Sequence, residues 1–369
     1  MKVLHIITRM NTGGPAVFLD HLTSSINELG CQSVIAYGFC ESNESDYTNN
    51  HKLKTELVKI KSLHRSLSPI DDIRAFFQIR KVIKQVKPDV VNTHTSKGGV
   101  LGRVAAKSVS RKLPVVHTFH GHLIYGYFAR YKSLIFTIIE KVMSRFTDIA
   151  VAVTGETKKS LTSLGIGKNL SWRVIQIGVP VQNKPIKPLS EGFGLKILWV
   201  GRFTDIKDPF YALDVVKSIS GKNDLKIELI MIGEGELFEK VKTSSVNLPI
   251  KFTGWMLNPF ENIEEFDLLL LTSKNEGLPL VMLEAANYGR ATLSRNVGGV
   301  GEFIKDGQSG YMVSGDSYKM AEKLKEIAQN KNSLKDVGLA ANKLLGAEFS
   351  VEIMADKYFS LYSGLIVSN

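Results

Sequence analysis

Residues 276–289 begin as Glu276-Gly277-Leu278-Pro279-Leu280-Val281-Met282-Leu283-Glu284-Ala285-Ala286 and end at Gly289. Pro279 suits the first position of a helix, because its ring fixes φ and a helix leaves its first N–H groups unpaired. Those N–H groups and the helix dipole attract anions such as a diphosphate. A carboxylate in an apolar run is costly to bury unless it is hydrogen-bonded. We therefore interpret the segment as a loop and helix that bind a nucleotide-sugar, with Glu276 and Glu284 accepting its hydroxyls; the alternative is an ordinary surface position for Glu284.

Short apolar runs alternate with helical patterns on both sides of this segment. In the first half, strands are predicted at 2–8, 33–38, 56–60, 89–93, 114–118, 148–153 and 172–177, and helices at 15–29, 70–87, 98–109, 133–146 and 155–164. In the second half, strands are predicted at 195–200, 226–232, 250–253, 267–272, 291–294 and 311–313, and helices at 208–219, 235–243, 279–288, 317–329 and 332–346. Such alternation predicts an α/β protein with parallel sheets covered by helices on both faces.

A stretch without periodicity separates the two series. Residues 179–194 include Pro180, Pro185 and Pro188, and we interpret them as a linker between two doubly wound domains. A chain of 369 residues, 44% of them apolar, is long enough to build two cores. Residues 41–50 are polar and rich in turn-forming side chains, so we expect a mobile loop there.

The formal net charge of +11 is unevenly distributed. Residues 1–185 contain 26 Lys and Arg against 12 Asp and Glu, a net of +14, whereas the remainder has 21 against 24, a net of −3. The basic half indicates an anionic partner, for which a membrane surface, a lipid-linked phosphate and a nucleic acid all qualify.

The chain lacks the apolar run of roughly 18 residues that crosses a bilayer. Residues 2–7 are too short for the apolar part of a signal peptide and predict a first strand. Cys31 and Cys40 match neither a disulfide framework nor zinc-ligand spacing, so we expect two reduced thiols. These features predict a cytoplasmic protein, with peripheral association at the inner face of the cell membrane as an option.

Gly13 and Gly14 lie between the first predicted strand and helix. Without side chains, they let backbone N–H groups approach an anion closely. A plain strand-to-helix turn is the alternative.

Arg202 and Lys207 follow the predicted strand at 195–200. A guanidinium fork and a lysine point charge can together neutralise a diphosphate leaving group as a sugar–phosphate bond breaks. Alternatively, Lys207 forms a surface pair with Asp205 or Asp208.

Three histidines, His117, His120 and His122, flank the end of the strand at 114–118. A zinc site is disfavoured because no carboxylate or cysteine accompanies them in a known spacing. A neutral imidazole at position 120 can donate to or accept from a hydroxyl without carrying a fixed charge. His122 is a candidate for the acceptor side, and a hydrogen-bonded strand position is favoured for His117.

Aromatic and cationic side chains alternate between Tyr125 and Arg145, which suits an anionic membrane interface. The aliphatic residues of the same segment suit a core helix equally well, and we leave both interpretations open. The basic helix at 74–87 is interpreted as a solvated face. Lys97, before Gly98-Gly99, either meets an acceptor phosphate or caps a turn.

Several of these motifs, taken in order, resemble those of the retaining glycosyltransferases of family 4. The spacing of Glu276 and Glu284 is similar to the E-x7-E motif of that family. The other matching segments are Thr12-Gly13-Gly14-Pro15, Gly201-Arg202-Phe203 with Lys207, Gly233-Glu234-Gly235, and Val297-Gly298-Gly299 with Glu302. The resemblance extends from Met1 to about residue 365, and the ordered combination is specific although each motif alone is weak.

The resemblance implies a GT-B fold of two Rossmann-like domains facing across a cleft. Residues 1–180 would bind the acceptor, residues 181–349 would bind the nucleotide-sugar donor, and a helix at 350–369 would pack back on the first domain. The implied catalytic residues are His120, Arg202, Lys207 and Glu276, with Glu284 on the ribose. The implied donor-binding residues are Gly13, Gly14, Gly201, Gly233, Gly254, Gly277, Leu278, Pro279, Leu280 and Glu284.

The implied activity is metal-independent, cofactor-free transfer of a sugar from a nucleotide diphosphate, UDP being favoured over GDP, to an acceptor hydroxyl. A lipid-linked saccharide or another glycan is the expected acceptor, as in bacterial polysaccharide, lipopolysaccharide or glycolipid synthesis. Three alternatives remain: a nucleotide-sugar epimerase of the same fold, a basic protein that binds nucleic acid or membranes, and a non-catalytic scaffold. The last is motivated by Leu278-Pro279, where the family more often has Phe-Gly, and no recognised motif supports nucleic-acid binding.

Overall fold

The computed structural model describes the chain except for residue 43 and residues 122–129, 183–185, 187, 191–193, 220–225, 263–265 and 368–369. The chain divides into two compact units. Unit 1 comprises Met1–Pro180 and Ser350–Asn369, and unit 2 comprises Val181–Phe349. Each unit is built around one parallel sheet.

Unit 1 has a seven-stranded sheet in the order β3-β2-β1-β4-β5-β6-β7, with every named pair parallel. Its strands are β1 (Lys2–Arg9), β2 (Gln32–Gly38), β3 (Glu56–Lys59), β4 (Val90–His94), β5 (Val115–Phe119), β6 (Ile149–Ala152) and β7 (Ser171–Val174). Its helices before the linker are α1 (Gly14–Glu28), α2 (Tyr47–Asn50), α3 (Pro69–Val86), α4 (Ser96–Val109), α5 (Arg130–Met143) and α6 (Gly155–Ser163). A 3-10 turn at Ser144–Phe146 follows α5.

Unit 2 has a six-stranded parallel sheet in the order β10-β9-β8-β11-β12-β13. Its strands are β8 (Leu195–Val200), β9 (Ile227–Ile232), β10 (Ile250–Gly254), β11 (Leu268–Leu271), β12 (Ala291–Arg295) and β13 (Tyr311–Val313). Its helices are α7 (Pro209–Ile219), α8 (Phe238–Ser244), α9 (Pro259–Asn262), α10 (Leu280–Asn287), α11 (Val300–Phe303), α12 (Ser317–Gln329) and α13 (Lys331–Glu348).

The strand order reverses once in each sheet, between β1 and β4 and between β8 and β11. Ligands of doubly wound folds bind outside the carboxyl ends of the strands at such a reversal. In unit 2 the loops at that position are 201–208 and 272–279, which contain Arg202, Lys207 and Glu276 and four of the predicted donor-binding residues, Gly201, Gly277, Leu278 and Pro279. The predicted strands and longer helices are all present, with ends shifted by a few residues.

The last helix, α14 (Val351–Val367), belongs to unit 1 and packs against α1. It buries Tyr358 and Tyr362 completely. Asn92 donates a hydrogen bond to the Tyr362 hydroxyl over 2.6 Å, and the Tyr358 and Thr118 hydroxyls are 3.3 Å apart. The helix therefore covers the sheet face from which Asn92 and Thr118 project.

The segment at 41–50, predicted to be a mobile loop, makes several contacts through its described residues, and its mobility stays a prediction. Arg9 forms a two-point ion pair with Glu44, and the Asp46 side chain accepts from the Thr48 N–H at the start of α2. The backbones of Asn11 and Asp46 form an isolated antiparallel β-bridge. The prediction rested on the polarity of the segment. The Arg9–Glu44 pair could not be predicted, because the two residues are far apart in the sequence.

Helix α5 faces the protein with polar groups and turns its aliphatic side chains outward. Arg103 of α4 donates two hydrogen bonds of 2.9 Å to Glu140, and both side chains are 1% exposed. The outward side chains Leu134, Ile135, Ile138, Ile139 and Val142 are exposed. The core interpretation of these aliphatic residues is therefore wrong, although Met143 is buried.

Helix α3 combines the predicted basic face with exposed apolar side chains. Its buried side consists of Ala75, Ile79, Val82 and Ile83. Its outward side carries Ile70, Ile73 and Phe77, all exposed, together with basic residues. The basic residues Arg74, Lys81, Lys84 and Lys87 are exposed, which confirms the predicted solvated face.

Candidate functional site

The loops that follow β8 and β11 converge on one carboxylate. Lys207 lies in the first loop, and its Nζ is 2.5 Å from Glu276 Oε1 in the second. Ser273 Oγ donates to the same oxygen over 2.6 Å. Glu276 therefore lies between a lysine ammonium and a serine hydroxyl, and the alternative surface pairing of Lys207 with an aspartate is wrong.

The neighbouring aspartates have other partners. Asp205 pairs with Lys274 over 2.7 Å, and Asp208 pairs with Arg295 over 3.0 Å. Arg295 also lies over the Tyr211 ring, 4.5 Å from its centroid. These pairs leave Lys207 directed at Glu276.

Thr272 fixes the backbone at Lys207. Its Oγ1 donates to the Lys207 carbonyl over 2.9 Å and accepts from Trp199 Nε1 over 2.9 Å. The Lys274 N–H also donates to the Ile206 carbonyl over 2.8 Å. A buried tryptophan in β8 and the loop after β11 thus set the position of the lysine.

Backbone segments meet closely at the ends of β8, β9 and β10. Gly233 has a φ of +132°, and a Cβ on it would lie 2.0 Å from the Gly201 carbonyl oxygen. Its N–H donates to the Gly254 carbonyl over 2.8 Å. Only glycine tolerates this approach, so Gly201, Gly233 and Gly254 form a surface with little side-chain cover.

A second close approach supports Glu276. The Gly299 N–H donates to the Glu276 carbonyl over 3.1 Å. Gly298 has a φ of +51°, and a Cβ on it would lie 1.9 Å from that carbonyl oxygen. The segment Val297-Gly298-Gly299 therefore acts as a platform for the Glu276 backbone.

Arg202 lies directly after Gly201 and is exposed. Among the described residues, its guanidinium has no hydrogen-bond or ion-pair partner. An exposed cation in the loop that carries Lys207 can bind an anionic ligand without first breaking an internal contact.

Pro279 is the N-cap of α10, so the helix begins at Leu280, one residue later than predicted. Leu278 and Leu280 are buried, and Gly277 is half-buried. The leucine side chains belong to the core, which leaves backbone groups as the means by which residues 277–280 could contact a ligand.

Glu284 lies within α10 and is half-buried. Burial raises the pKa of its carboxyl group from 4.5 to about 7. No cation pairs with this carboxyl group among the described residues, and a buried carboxyl group without such a partner is a candidate ligand-binding residue.

In unit 1, Gly13 is the N-cap of α1 and Gly14 is its first residue, at the carboxyl end of β1. Lys97 is not free for a phosphate, because its Nζ contacts Asp72 and donates to the Ser66 carbonyl. His117 is buried with Nδ1 2.8 Å from Thr93 Oγ1, which agrees with a strand role. His122 lies outside the described residues.

His120 is the end of a row of histidines that the sequence did not predict. His94 Nδ1 is 3.1 Å from His120 Nε2, and His5 Nδ1 is 3.3 Å from His94 Nε2. Burial lowers the pKa of His120 to about 4 and that of His5 to about 3, and it holds the pKa of His94 well below 6.5. All three rings are therefore neutral at pH 7.

Within the described part of the chain, no group of three His, Cys, Asp or Glu side chains is arranged to hold a metal ion. The three histidines in the row are linked to one another by their ring nitrogens rather than converging on a common point.

Two family models match the chain in succession. The model described as Glycosyltransferase Family 4 matches residues 12–183, and the one described as Glycosyl transferases group 1 matches residues 194–330. The chain belongs to glycosyltransferase family 4. The predicted family and the assignment as a transferase are thereby confirmed.

Named relatives of this family 4 protein act in bacterial glycan assembly. An Escherichia coli UDP-Gal:alpha-D-GlcNAc-diphosphoundecaprenol alpha-1,3-galactosyltransferase is 26% identical over 328 residues, covering 84% of each chain. The Escherichia coli O-antigen biosynthesis glycosyltransferase WbnH is 26% identical, with 97% of this chain and 98% of WbnH covered.

Among solved structures, Anabaena HepE in complex with UDP and glucose superposes with a TM-score of 0.79 at 16% identity. The match covers 99% of this chain and 100% of HepE. At this identity the likeness concerns the fold, and the predicted GT-B class is confirmed. No helix in the described part of this family 4 chain is long and apolar enough to cross a bilayer.

Proposed function

We propose that this glycosyltransferase transfers a sugar from a UDP-sugar to a hydroxyl of a lipid-linked glycan, without a metal ion and with retention of anomeric configuration. The observation that carries the proposal is the Lys207–Glu276 pair at the carboxyl ends of β8 and β11, with Arg202 exposed in the same loop as Lys207. This is the position at which doubly wound folds bind nucleotides.

Arg202 and Lys207 would neutralise the diphosphate as the bond between the anomeric carbon and its phosphate oxygen breaks. The acceptor oxygen forms its bond to the anomeric carbon on the face from which the diphosphate departs. The acceptor proton passes to the departing phosphate oxygen, so no carboxylate base is required. Glu276 then serves to orient the sugar hydroxyls rather than to remove a proton.

The geometry of the Lys207–Glu276 pair suits these two roles, neutralising the diphosphate and orienting the sugar hydroxyls. Glu276 keeps Lys207 extended towards the site before the donor arrives, and Ser273 holds the carboxylate in place. An incoming diphosphate would add a second anion for Lys207, while Oε2 of Glu276, which has no partner among the described residues, remains available for a sugar hydroxyl. Preorganisation of this kind lowers the cost of ordering long side chains on binding.

Glu284 supports the assignment of the nucleotide. A ribose presents two neighbouring hydroxyl donors, and an ionised carboxylate offers two acceptor oxygens for them. The named Escherichia coli galactosyltransferase supports UDP as the carrier and a diphosphate-linked lipid as the acceptor. Gly254, where a Cβ would meet only Glu234 Oε1 at 3.7 Å, leaves room for close approach of the nucleotide to the backbone.

The outer faces of α3 and α5 support peripheral association with an anionic membrane. On α5, the aliphatic residues Leu134, Ile135 and Ile138 are 61%, 54% and 53% exposed. Lys141 and Arg145 lie beside them, and residues 1–185 carry the excess of positive charge. Apolar insertion combined with attraction to anionic lipids is how interfacial helices bind a bilayer, which would bring unit 1 to a lipid-linked acceptor.

The proposal is tested by following transfer from UDP-galactose, UDP-N-acetylgalactosamine and UDP-glucose to a diphosphoundecaprenol-linked saccharide in excess EDTA. We expect product from at least one donor, with NMR showing the α anomer that the donor carries. A β-linked product would contradict the retaining mechanism. Activity that is abolished by EDTA and restored by a divalent metal would contradict metal independence.

A further inference from the structure

Arg295 is the last residue of β12, and its side chain reaches the loops that follow two other strands of unit 2. Its Nη1 donates to Asp208 Oδ2 over 3.0 Å and to the Thr272 carbonyl over 3.2 Å. Asp208 ends the loop after β8, and Thr272 begins the loop after β11. Because β8, β11 and β12 lie side by side in the sheet, one guanidinium joins the loops that carry Lys207 and Glu276.

The Arg295–Asp208 pair is partly shielded from water. The Arg295 guanidinium lies over the Tyr211 ring, and the Tyr211 hydroxyl donates to the Gly315 carbonyl over 3.1 Å. The side chains of Arg295 and Asp208 are only 24% and 19% exposed. Removing one partner of a shielded pair leaves a charge that water screens poorly, so the remaining charge acts strongly on its neighbours.

The backbone holds the Asp208 carboxylate next to Lys207. Asp208 directly follows Lys207 and has a φ of +50°, a left-handed conformation that aspartate and asparagine tolerate better than most residues. Its N–H donates to the Thr204 carbonyl over 3.2 Å, and Thr272 Oγ1 donates to the Lys207 carbonyl over 2.9 Å. These bonds fix the chain on both sides of the Lys207–Asp208 peptide, so the carboxylate stays at the junction of the two loops.

The second aspartate of this loop is in a different environment. Asp205 pairs with Lys274 over 2.7 Å, but its side chain is 77% exposed. Water and salt screen such a surface carboxylate whether or not its lysine is present. Of the two aspartates near Lys207, Asp208 is therefore the one whose charge depends on an internal cation for its neutralisation.

We propose that Arg295 is a positioning residue that neutralises the Asp208 carboxylate, so that Lys207 stays directed at Glu276 and at the donor diphosphate. This inference rests on the proposed function, in which Lys207 binds that diphosphate. Without Arg295, the Asp208 carboxylate would compete for the Lys207 ammonium and would repel the diphosphate, because both groups are anionic. Arg295 thus acts through Asp208 rather than by contacting the donor.

Calorimetric titration of UDP into the full-length wild type, R295M and D208N tests the proposal by the sign of each effect. R295M should bind UDP about tenfold more weakly, the value of one charge-assisted contact. D208N should bind at least as tightly as the wild type, because it leaves a cation where the wild type has a neutral pair. Loss of a merely structural ion pair would weaken binding in both variants, and that result would overturn the proposal.

The double variant R295M/D208N separates neutralisation of Asp208 from direct contact with the donor. It contains no unpaired carboxylate, so its UDP affinity should return to within about threefold of the wild type. R295K, which keeps a cation beside Asp208, should also bind more tightly than R295M. A double variant that binds as weakly as R295M would overturn the proposal and would indicate that Arg295 itself contacts the diphosphate.

K323M is a matched control in the same unit. Lys323 on α12 pairs with Glu326 over 2.9 Å, lies over the Tyr311 ring at 5.4 Å, and is 23% exposed. It therefore resembles Arg295 in burial, in its carboxylate partner and in its aromatic contact, but it lies outside the loops after β8 and β11. K323M should bind UDP as the wild type does, and an equal loss of affinity in K323M and R295M would overturn the proposal.

The wild type and R295M together separate failure of this inference from failure of the proposed function. Equal UDP affinity in R295M and the wild type would overturn the role of Arg295 while leaving the proposed function intact. Absence of UDP binding and of transfer in the wild type would overturn the proposed function, and this inference with it.

Discussion

At the scale of single residues, the candidate donor site combines side chains that were predicted from the sequence with side chains that were not. Lys207 and Glu276 are recognisable from their positions after predicted strands and from motif spacing. Their mutual ion pair is not predictable, because it depends on the adjacency of β8 and β11 in the sheet. Thr272 and Ser273 were missed for the same reason, since short hydroxyl side chains occur in most loops.

The row of His5, His94 and His120 was even less predictable from the sequence. His5 and His94 each lie in a strand, where a single buried histidine indicates little. Their contact with His120 follows from the registers of β1, β4 and β5, which no pattern within one strand encodes. A usable signal was the recurrence of histidine at or just beyond the ends of neighbouring parallel strands.

Replacing Glu284 by glutamine should stabilise the protein and weaken nucleotide binding. The folded-state pKa of about 7 lies above the ordinary 4.5. The native state therefore holds a proton that the unfolded state has lost between those values, and the wild-type free energy of unfolding falls as pH rises from 4.5 through 7. Above pH 7, E284Q should be more stable by on the order of 2 kcal/mol, allowing for partial exposure.

Urea unfolding of both proteins at pH 4.5 and pH 8 checks this expectation. The difference should be close to zero at pH 4.5 and largest at pH 8, whereas UDP affinity at pH 8 should fall about tenfold in E284Q. An equal stability difference at both pH values would show that the Glu284 carboxyl titrates normally.

At the scale of elements, the loop that carries Gly298 is expected to be essential for the geometry of Glu276. G298A would place a Cβ 1.9 Å from the Glu276 carbonyl oxygen, at a φ of +51°. The loop must then shift and displace Glu276 from Lys207. We expect donor affinity to fall at least tenfold, about the loss of one charge-assisted hydrogen bond.

G307A provides a matched control for that variant. Gly307 also has a positive φ, +73°, but a Cβ there meets nothing within 4 Å. Both substitutions should therefore cost about 1 kcal/mol of stability from backbone strain, whereas only G298A should impair donor binding. Equal donor affinities in the two variants would contradict the platform role of this loop.

Helix α5 is an element in which the sequence pattern was ambiguous. Its aliphatic residues have helical spacing, and such a stripe usually faces the core. The buried Arg103–Glu140 pair instead places the polar side inward. A lone glutamate in the helix gives no indication of its arginine partner on α4, so only the tertiary structure shows which side faces outward.

Substituting serine for Ile135 and Ile138 should weaken membrane association. Both side chains are exposed, and losing two apolar groups from a bilayer contact costs roughly 1–3 kcal/mol. Co-sedimentation with vesicles containing phosphatidylglycerol should fall about tenfold, while UDP affinity stays at the wild-type value. L339S, which alters an exposed aliphatic residue on α13 of unit 2, should sediment as the wild type does.

Membrane association would be contradicted in either of two ways. Wild-type protein that fails to sediment with anionic vesicles would contradict it directly. Double-variant protein that sediments as well as wild type would contradict the role of α5.

At the scale of the whole molecule, sequence patterns predicted the fold class well because the strands and helices of a doubly wound protein alternate along the chain with different hydrophobic patterns. Strands buried on both faces are continuous apolar runs, and the crossover helices have a different periodicity. The strand orders of both sheets follow from right-handed crossovers with one reversal each. The short helices α2, α9 and α11 escaped prediction because four residues are too few to show a period.

The charge distribution also belongs to this scale. Residues 1–185 are basic and the remainder is slightly acidic, which is consistent with our proposal that unit 1 meets an anionic acceptor and that unit 2 binds the donor through a few directed cations. Arg202 and Lys207 supply those cations within an otherwise acidic half. Affinity for UDP should therefore depend on these two residues rather than on overall charge.

Calorimetric titration of UDP into wild-type protein, R202A, K207A and K274A tests the central claim most directly. K274A removes a lysine two residues from Glu276 that pairs with Asp205 outside the proposed site, and it serves as the matched control. We expect wild type and K274A to bind UDP equally, and R202A and K207A to bind about 10- to 100-fold more weakly, the value of a charge-assisted contact. Equal affinity in all four proteins, or no binding to the wild type, would contradict the donor site at the ends of β8 and β11.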